Sequence, residues 1–455
     1  MADISGDEGP AHRPIHQLET EREALSAQIG KLKARGEDAS ELIAQSREIS
    51  QQITRLTRQQ DSEEAESPGD AQVKYRTEVL DSAAQVVKLR EEWTDLLERS
   101  EAQSPFLTWE WMASWYETYE NEGAVQCLAV RDADGHLEGI VPLFVSKRRD
   151  PHLSRGEVGF ASTSTTAWGT DLELIATPQA RDAVALATVA YLQQTRREWR
   201  RVKLLRMRAD SEGVWSLLRA AAGAGLQAGV LPGQNTSVLA LSPDTDDVIS
   251  LIGSSKLRRN CRKALKELHK DHPDHGFAYG PVTDGLEELL RRHVQLNIDR
   301  RATVHRGSNF EDAGYTDCFL LAAQRLAQSG SLRIARLTIG ARLAASLVCV
   351  PRGRTLYLWT SAWDPEFARY AVSHLAFLEA FKGGKAEGAR DADFLSDAQN
   401  YKSQYTSHVR HRMDVLLAPA APRLARAAGS GVEGFVDKAI RILRRVDPRE
   451  NRSGC

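Results

Sequence analysis

The side chains with the clearest chemical capacity fall between 364 and 402: Asp364, His374, Asp393, Asp397, Tyr401 and Lys402. A carboxylate at the end of a strand serves as a general base once burial raises its pKa. Asp364 and Asp393 lead on that ground, and Asp397 stands third. Lys402 or Tyr401 can polarise a carbonyl or take the charge that develops on its oxygen. Each has a plainer use. Asp364 before Pro365 suits a helix cap, Tyr401 a core ring, Lys402 a surface charge, and His374 on an apolar helix a satisfied core histidine. Together the set suits acyl transfer from an activated ester or thioester, which needs positioning, deprotonation of the acceptor and oxyanion stabilisation. A second group lies at 162–171, where five consecutive hydroxyl residues precede Trp168 and Asp171. Such a run is either turn chemistry or a substrate-facing wall. Cys261 and Cys349 sit in apolar contexts without a nearby histidine, which argues against a thiol nucleophile.

The elements that must position these groups can be read from pattern. The run 356–360 (LYLWT) predicts a buried strand, with Tyr357 and Trp359 as further substrate-binding candidates. It ends at Asp364-Pro365, because the residue before proline avoids the helical region. Val372, Leu375, Phe377, Leu378 and Phe381 then bury one helix face, Gly383-Gly384 is expected to stop it, and 392–395 reads as a short strand. Upstream, a helix is expected over 74–99 and a hairpin over 125–131 and 139–147, split by Asp134-Gly135. Strand 172–175, helix 178–199, strand 202–207, helix 212–224 and strand 237–241 complete a first α/β domain over 74–242. The second, over 243–418, has helices at 254–269, 286–301 and 315–329 and strands at 332–337 and 342–350 before the central strand. On the first of these helices Lys256, Arg258, Arg259, Arg262, Lys263 and Lys266 form either a solvated face or a phosphate contact.

Residues 14–60 carry apolar positions three and four apart in two legs, a coiled-coil pattern. Arg35-Gly36-Glu37-Asp38 supplies a stop and an acidic restart, so the legs fold back as an antiparallel hairpin with Lys31, Lys33 and Arg35 near its tip. A linker spans 61–73, and a basic helix and tail occupy 423–455. That helix suits docking on the body better than lying on a membrane.

With 455 residues the chain suits two domains plus an appendage. Its 60 basic and 62 acidic side chains nearly balance, so any nucleic-acid footprint is local. The five scattered cysteines give neither a disulfide frame nor a zinc site, no metal is expected, and the thiols suit a reducing cytoplasm. The start lacks an apolar leader, and no run approaches the ~20 apolar residues of a membrane span.

Several of these pieces resemble known families. DPEFARYAVSHL at 364–375 and DADFLSDAQNYKSQY at 391–405 resemble the GNAT-fold acyltransferases of the CelD-like group, relatives of the Fem-type transferases that use aminoacyl-tRNA instead of acyl-CoA. SPFLTWEW at 104–111, SKLRRNCRK at 255–263 and the helix 286–301 follow that group's order. ALSAQIGKLK at 24–33 with GEDA at 36–39 resembles the N-terminal arm of bacterial seryl-tRNA synthetases, which lies along the long variable arm of serine tRNA. The resemblances imply tandem GNAT-like (Fem-type) α/β domains preceded by an antiparallel coiled-coil hairpin. GNAT enzymes hold the CoA pyrophosphate on backbone N–H groups where the central strand opens into the next helix, which needs glycine. Here 368–375 (ARYAVSHL) has none, and Val372-Ser373-His374 replaces the group's Ser-Pro-Gly. The implied activity is transfer of an aminoacyl group, serine by the arm, from tRNA to an amine, hydroxylamine or hydroxyl of a small molecule, with no tightly bound cofactor. Lys31, Lys33, Arg35 and the cations at 256–263 would meet tRNA phosphates. The alternative is an acetyl-CoA-dependent N-acetyltransferase acting on a polysaccharide or small molecule. A degenerate fold serving as a scaffold is the third reading, and a homodimer through the coiled coil stays open.

Overall fold

The computed structural model describes residues 75–148, 152–163, 169–395 and 401–419, with single helical positions between Glu21 and Ile49. The chain divides into two compact units, 1–74 and 75–455. In the first, Glu21, Ala24, Leu25, Gln28, Glu41, Leu42, Gln45, Glu48 and Ile49 are helical. Lys31, Lys33, Arg35, the linker 61–73, Trp168, Asp397 and the terminal segment 423–455 lie outside the described residues.

The first half of the larger unit runs β1 (Tyr75–Leu80), α1 (Ala83–Lys88), α2 (Arg90–Arg99), α3 (Trp109–Tyr119), β2 (Gly123–Asp132), β3 (Leu137–Ser146), β4 (Glu157–Phe160), β5 (Ile175–Ala176), α4 (Arg181–Gln194), β6 (Arg201–Arg208), α5 (Glu212–Gly223), β7 (Leu226–Pro232) and β8 (Thr236–Ala240). The second runs α6 (Ser255–Asp271), β9 (His275–Gly280), α7 (Leu286–Ala302), α8 (Ala313–Gln328), β10 (Arg333–Ile339), β11 (Arg342–Arg352), β12 (Thr355–Trp363), α9 (Val372–Ala386), β13 (Asp391–Asp393), β14 (Val409–Arg410) and β15 (Arg412–Pro419). The hairpin β2–β3 turns at Gly135, whose φ of 88° requires glycine. The helix expected over 74–99 is a strand followed by two helices. Tyr75, Thr77 and Val79 favour extended backbone, and β1 pairs along its whole length with β2.

The halves exchange strands. The first sheet has the order β1-β2-β3-β4-β6-β15-β7, with β5 on β3; the second runs β14-β8-β13-β12-β11-β10-β9. Strand 237–241, expected to complete the first domain, is therefore in the second sheet, and β15 from the C-terminal side fills its counterpart. β8 is buried along Thr236–Leu239 and bonds to β13 and β14. A short apolar strand records that it needs two neighbours but not which ones. The first core accordingly takes in Cys318 and Ala322 of α8, Tyr357 of β12 and Met413, Val415 and Leu417 of β15. Its largest side chains, Trp93, Trp115 and Tyr116, are fully buried; each contributes about 1.5–3 kcal/mol as an upper bound. Arg325–Glu117 at 2.7 Å and Arg352–Glu98 at 2.8 Å tie the halves at their surfaces.

Gly383-Gly384 does not end α9, which runs on to Ala386. A Cβ on Gly383 would sit 2.0 Å from Tyr279 Cδ1, and one on Gly384 2.7 Å from Leu356 Cδ2. The pair exists so that α9 can press against β9 and β12. The stop comes at Gly388, with φ 91°. Among the described residues no helix is long and apolar enough to cross a membrane.

Candidate active site

Strand β12 builds the site. It pairs with β11 over its length, but with β13 only at Thr355–Tyr357. Beyond Tyr357 the two strands part, and the gap opens a cleft of about 960 Å³. Between Val348 and Cys349 the β11–β12 register shifts, leaving Trp359 as the extra residue of a bulge. A bulge re-aims its side chain, and Trp359 lines the cleft while packing edge-on to Trp111 (5.3 Å) and Phe319 (4.9 Å). One wall is the first turn of α9, with Val372, Ser373 and His374; facing it are Asn297, Arg300 and Arg301 of α7, Asn260 of α6, and Tyr401 and Lys402.

Chain entry into α9 is unusual. The 3-10 turn Pro365–Tyr370 gives way to Ala371 at φ 50°, left-handed backbone that glycine adopts more readily. First-turn N–H groups of a helix lack the usual intrahelical acceptor; here His374 N–H donates to the Ala371 carbonyl at 2.8 Å, which leaves those of Val372 and Ser373 as the donors of this wall. His374 Nδ1 lies 2.5 Å from the Tyr405 hydroxyl, and burial lowers the pKa of the imidazole, keeping it neutral near pH 7. The tautomer that donates Nδ1–H to Tyr405 leaves Nε2 with a lone pair. Lys402 is 3% exposed, donates to the Phe394 carbonyl (3.0 Å), and brings an ammonium to the same cleft. Tyr401 stays a phenol, its pKa raised by burial. Among the described residues the lining includes no Asp or Glu. Among the described lining residues His374 is placed to accept a proton, and Asp397 lies outside the described residues.

The two leading carboxylate candidates are committed elsewhere. Asp364 caps the 3-10 turn through Glu366 N–H (3.1 Å) and pairs with Arg342 at 2.6 Å, away from the cleft lining. Asp393 is fully buried and accepts from Thr236 (2.8 Å), Leu395 N–H (2.7 Å) and Arg410 (2.5 Å). Burial raises its pKa against the pull of Arg410. Asp171, expected on a substrate wall, is sealed in. Its φ is 56°, and Arg412 grips it at 2.6 and 3.3 Å. Burial would raise Asp171, but Arg412, then Arg410 and Arg208, hold it below the usual carboxylate range. Tyr357 is 1% exposed beside this network, not in the cleft. Nearby, Glu173 accepts from Ser211, and burial lifts its pKa to about 7. These groups lock the strand exchange.

The hydroxyl run is turn chemistry where it is described: Ser162 is buried at φ 69° and accepts from the Trp111 indole at 2.8 Å. On α6 Arg258 folds back on the Ile252 and Gly253 carbonyls, Arg262 pairs with Asp247 and Lys263 with Glu267, while Lys256 and Arg259 are exposed. Burial pushes the Cys127 and Cys318 thiols up to about 12 and Cys261 to about 11, so none is a ready nucleophile. Sequence reasoning missed Arg300, Arg301, Arg306, Asn297 and Trp363. The available signal was the arginine pair closing helix 286–301.

Residues 255–403 match the family model for the acetyltransferase (GNAT) domain, and residues 12–68 that for the seryl-tRNA synthetase N-terminal domain. Among solved structures, FemX is similar at 11% identity, over 74% of this chain and 98% of that one, with a TM-score of 0.52. A conserved protein of unknown function from Bacteroides thetaiotaomicron matches at 11% identity over 73% and 97%, TM-score 0.49. L-PGS from Bacillus licheniformis matches at 10% over 77% and 96%, TM-score 0.44. No curated protein matches.

Proposed function

We propose that this GNAT-fold acyltransferase takes a seryl group from charged tRNA and passes it to an amine, hydroxylamine or hydroxyl of a small molecule. The observation that carries this reading is the pairing, in one chain, of a GNAT domain with a seryl-tRNA synthetase N-terminal domain. The cleft supports it: the α9 turn offers Ala371-Val372-Ser373 where a CoA pyrophosphate would want glycine.

In the proposed step the seryl ester carbonyl lies against Lys402, and His374 Nε2 removes the acceptor proton as its nitrogen or oxygen attacks. The new bond to carbon gives a tetrahedral oxyanion held by Lys402 and the α9 N-terminus. The ester C–O bond then breaks, and the tRNA 3′ oxygen takes the proton from His374. No external oxidant, reductant or metal is needed, because the ester is already activated. The exposed Lys256 and Arg259, with Lys31, Lys33 and Arg35 of the arm, supply phosphate contacts in this reading. A gel shift comparing serine tRNA with a tRNA lacking the long variable arm tests it. Preference for serine tRNA, lost on removing residues 1–66, is the expected result. Equal affinity for both tRNAs would reduce the arm to a spacer, and coenzyme A bound in the cleft would replace the donor.

A further inference from the structure

One end of the cleft holds charge that the transfer step leaves unused. Arg300 and Arg301 close α7, and the following loop folds back so that Arg306 N–H donates to the Arg301 carbonyl at 3.1 Å. All three side chains line the cleft. Elsewhere on α7 an arginine finds a carboxylate, as Arg291 does with Glu287 at 2.8 Å. Among the described residues none of the three cleft arginines has an acidic partner, and Arg301 Nε is buried with no acceptor at all. Arg300 lies over the Trp363 ring at 5.6 Å. Burial first, then Arg301 and Arg306, lower its proton affinity, opposed by Tyr401. Asn297, the neighbouring amide, donates to the Ser361 carbonyl and accepts from Ser308, and it carries no charge to offset theirs.

Like charges gathered in a partly buried space are tolerated at a helix C-terminus, where the dipole favours cations. The dipole does not supply an acceptor for a buried N–H, which is costly to leave unmade. Guanidinium is a planar fork that matches phosphate and carboxylate oxygens two at a time. Three of them about one space fit an anion with several oxygens and more than one charge better than a lone carboxylate. We infer that Arg300, Arg301 and Arg306 form a phosphate subsite, anchoring a phosphate of the ligand whose reacting group lies at His374 and Lys402. This rests on the cleft being the transfer site only for what the phosphate is attached to. Two sources share the chemistry: a backbone phosphate near the 3′ end of the donor RNA, or a phosphate on the acceptor.

The test is calorimetric titration of the full chain with inorganic pyrophosphate, using wild type, Arg301→Gln, Arg300→Gln and, as a charge-matched control on the outer face of α7, Arg291→Gln. At least tenfold weaker binding in the first two variants, with Arg291→Gln unchanged and all four equally folded by circular dichroism, is expected. Equal affinities in all four proteins, or no binding to wild type, overturn the subsite. Displacement of a labelled 5′-phosphorylated CCA trinucleotide by pyrophosphate assigns the phosphate to the donor; simultaneous binding of both assigns it to the acceptor. Failed seryl transfer with pyrophosphate binding intact refutes the donor reading alone. Seryl transfer by a chain that binds no pyrophosphate refutes the subsite alone.

Discussion

Replacing Arg412 by Met removes the cation that closes the strand exchange, and the geometry sets the size of the loss. Arg412 reaches Asp171 at 2.6 and 3.3 Å and the Leu395 carbonyl at 2.8 Å, with both ionised side chains at most 1% exposed. The next cation, Arg410, stands 4.0 Å from Asp171 and is already held by Asp393 at 2.5 Å. Breaking a buried pair by removing one partner costs about 3–5 kcal/mol, because the other charge stays buried and uncompensated. Asp171→Asn is the matching single change, since asparagine tolerates the left-handed φ of 56°. The double variant leaves no orphan carboxylate, so its destabilisation should fall short of the sum of the singles by about 1–3 kcal/mol. Equilibrium urea unfolding of the four proteins measures this. The sign with pH is also fixed. A carboxyl held below its unfolded value stabilises above the unfolded pKa of about 3.9, and that stability is lost as pH falls through the folded value. Asp171→Asn should flatten the acid limb. Additive single costs, or an Arg412→Met cost under about 1 kcal/mol, would refute the claim that this pair holds β15 in the first sheet.

Glu173 gives the opposite pH dependence: its folded pKa of about 7 lies above the unfolded value, so the contribution is full below pH ~4 and is lost as pH rises through 7. The loss by pH 8 amounts to about 3 kcal/mol at 1.36 kcal/mol per unit. Glu173→Gln should abolish it in urea titrations from pH 5 to 8. Gly383→Ala should destabilise by about 1–2 kcal/mol, overpacking against Tyr279 outweighing roughly 1 kcal/mol of helix propensity; a stabilised variant would mean that α9 does not sit this close to β9. Lys402→Met and His374→Gln should each lower kcat of seryl transfer at least 100-fold with little change in donor KM. Unaltered kcat in both would move the chemistry out of this cleft.

Much of the second half was legible because its signals are local. Period-two and period-3.6 patterns located β10 to β13 and α9, and Asp364-Pro365 marked the strand end and the cap. What the sequence left open was pairing. Nothing in TSVLA or RMDVLLAP says that β8 and β15 trade sheets, since a short strand buried along its length and a roughly alternating one would each suit either sheet. The Gly383-Gly384 error has the same root: glycine reads as a stop unless the ring of Tyr279, a hundred residues earlier, is known to lie beneath it. The site followed suit. His374, Trp359, Tyr401 and Lys402 meet at the cleft as their chain positions suggest. Asp364, Asp171 and Asp393 were drawn off by Arg342, Arg412 and Arg410, partners the sequence does not place beside them. The arginines of α7 went unread because an exposed helix end and a cleft wall have the same composition.

The central claim is that the activated serine arrives on RNA. Full-length protein should be incubated with seryl-tRNA carrying labelled serine and an amine such as hydroxylamine as acceptor, with parallel reactions containing labelled acetyl-CoA. The account predicts enzyme-dependent labelling of the acceptor that is abolished by prior RNase treatment and absent with acetyl-CoA. Acetyl transfer with release of free CoA, and no movement of serine, would contradict it.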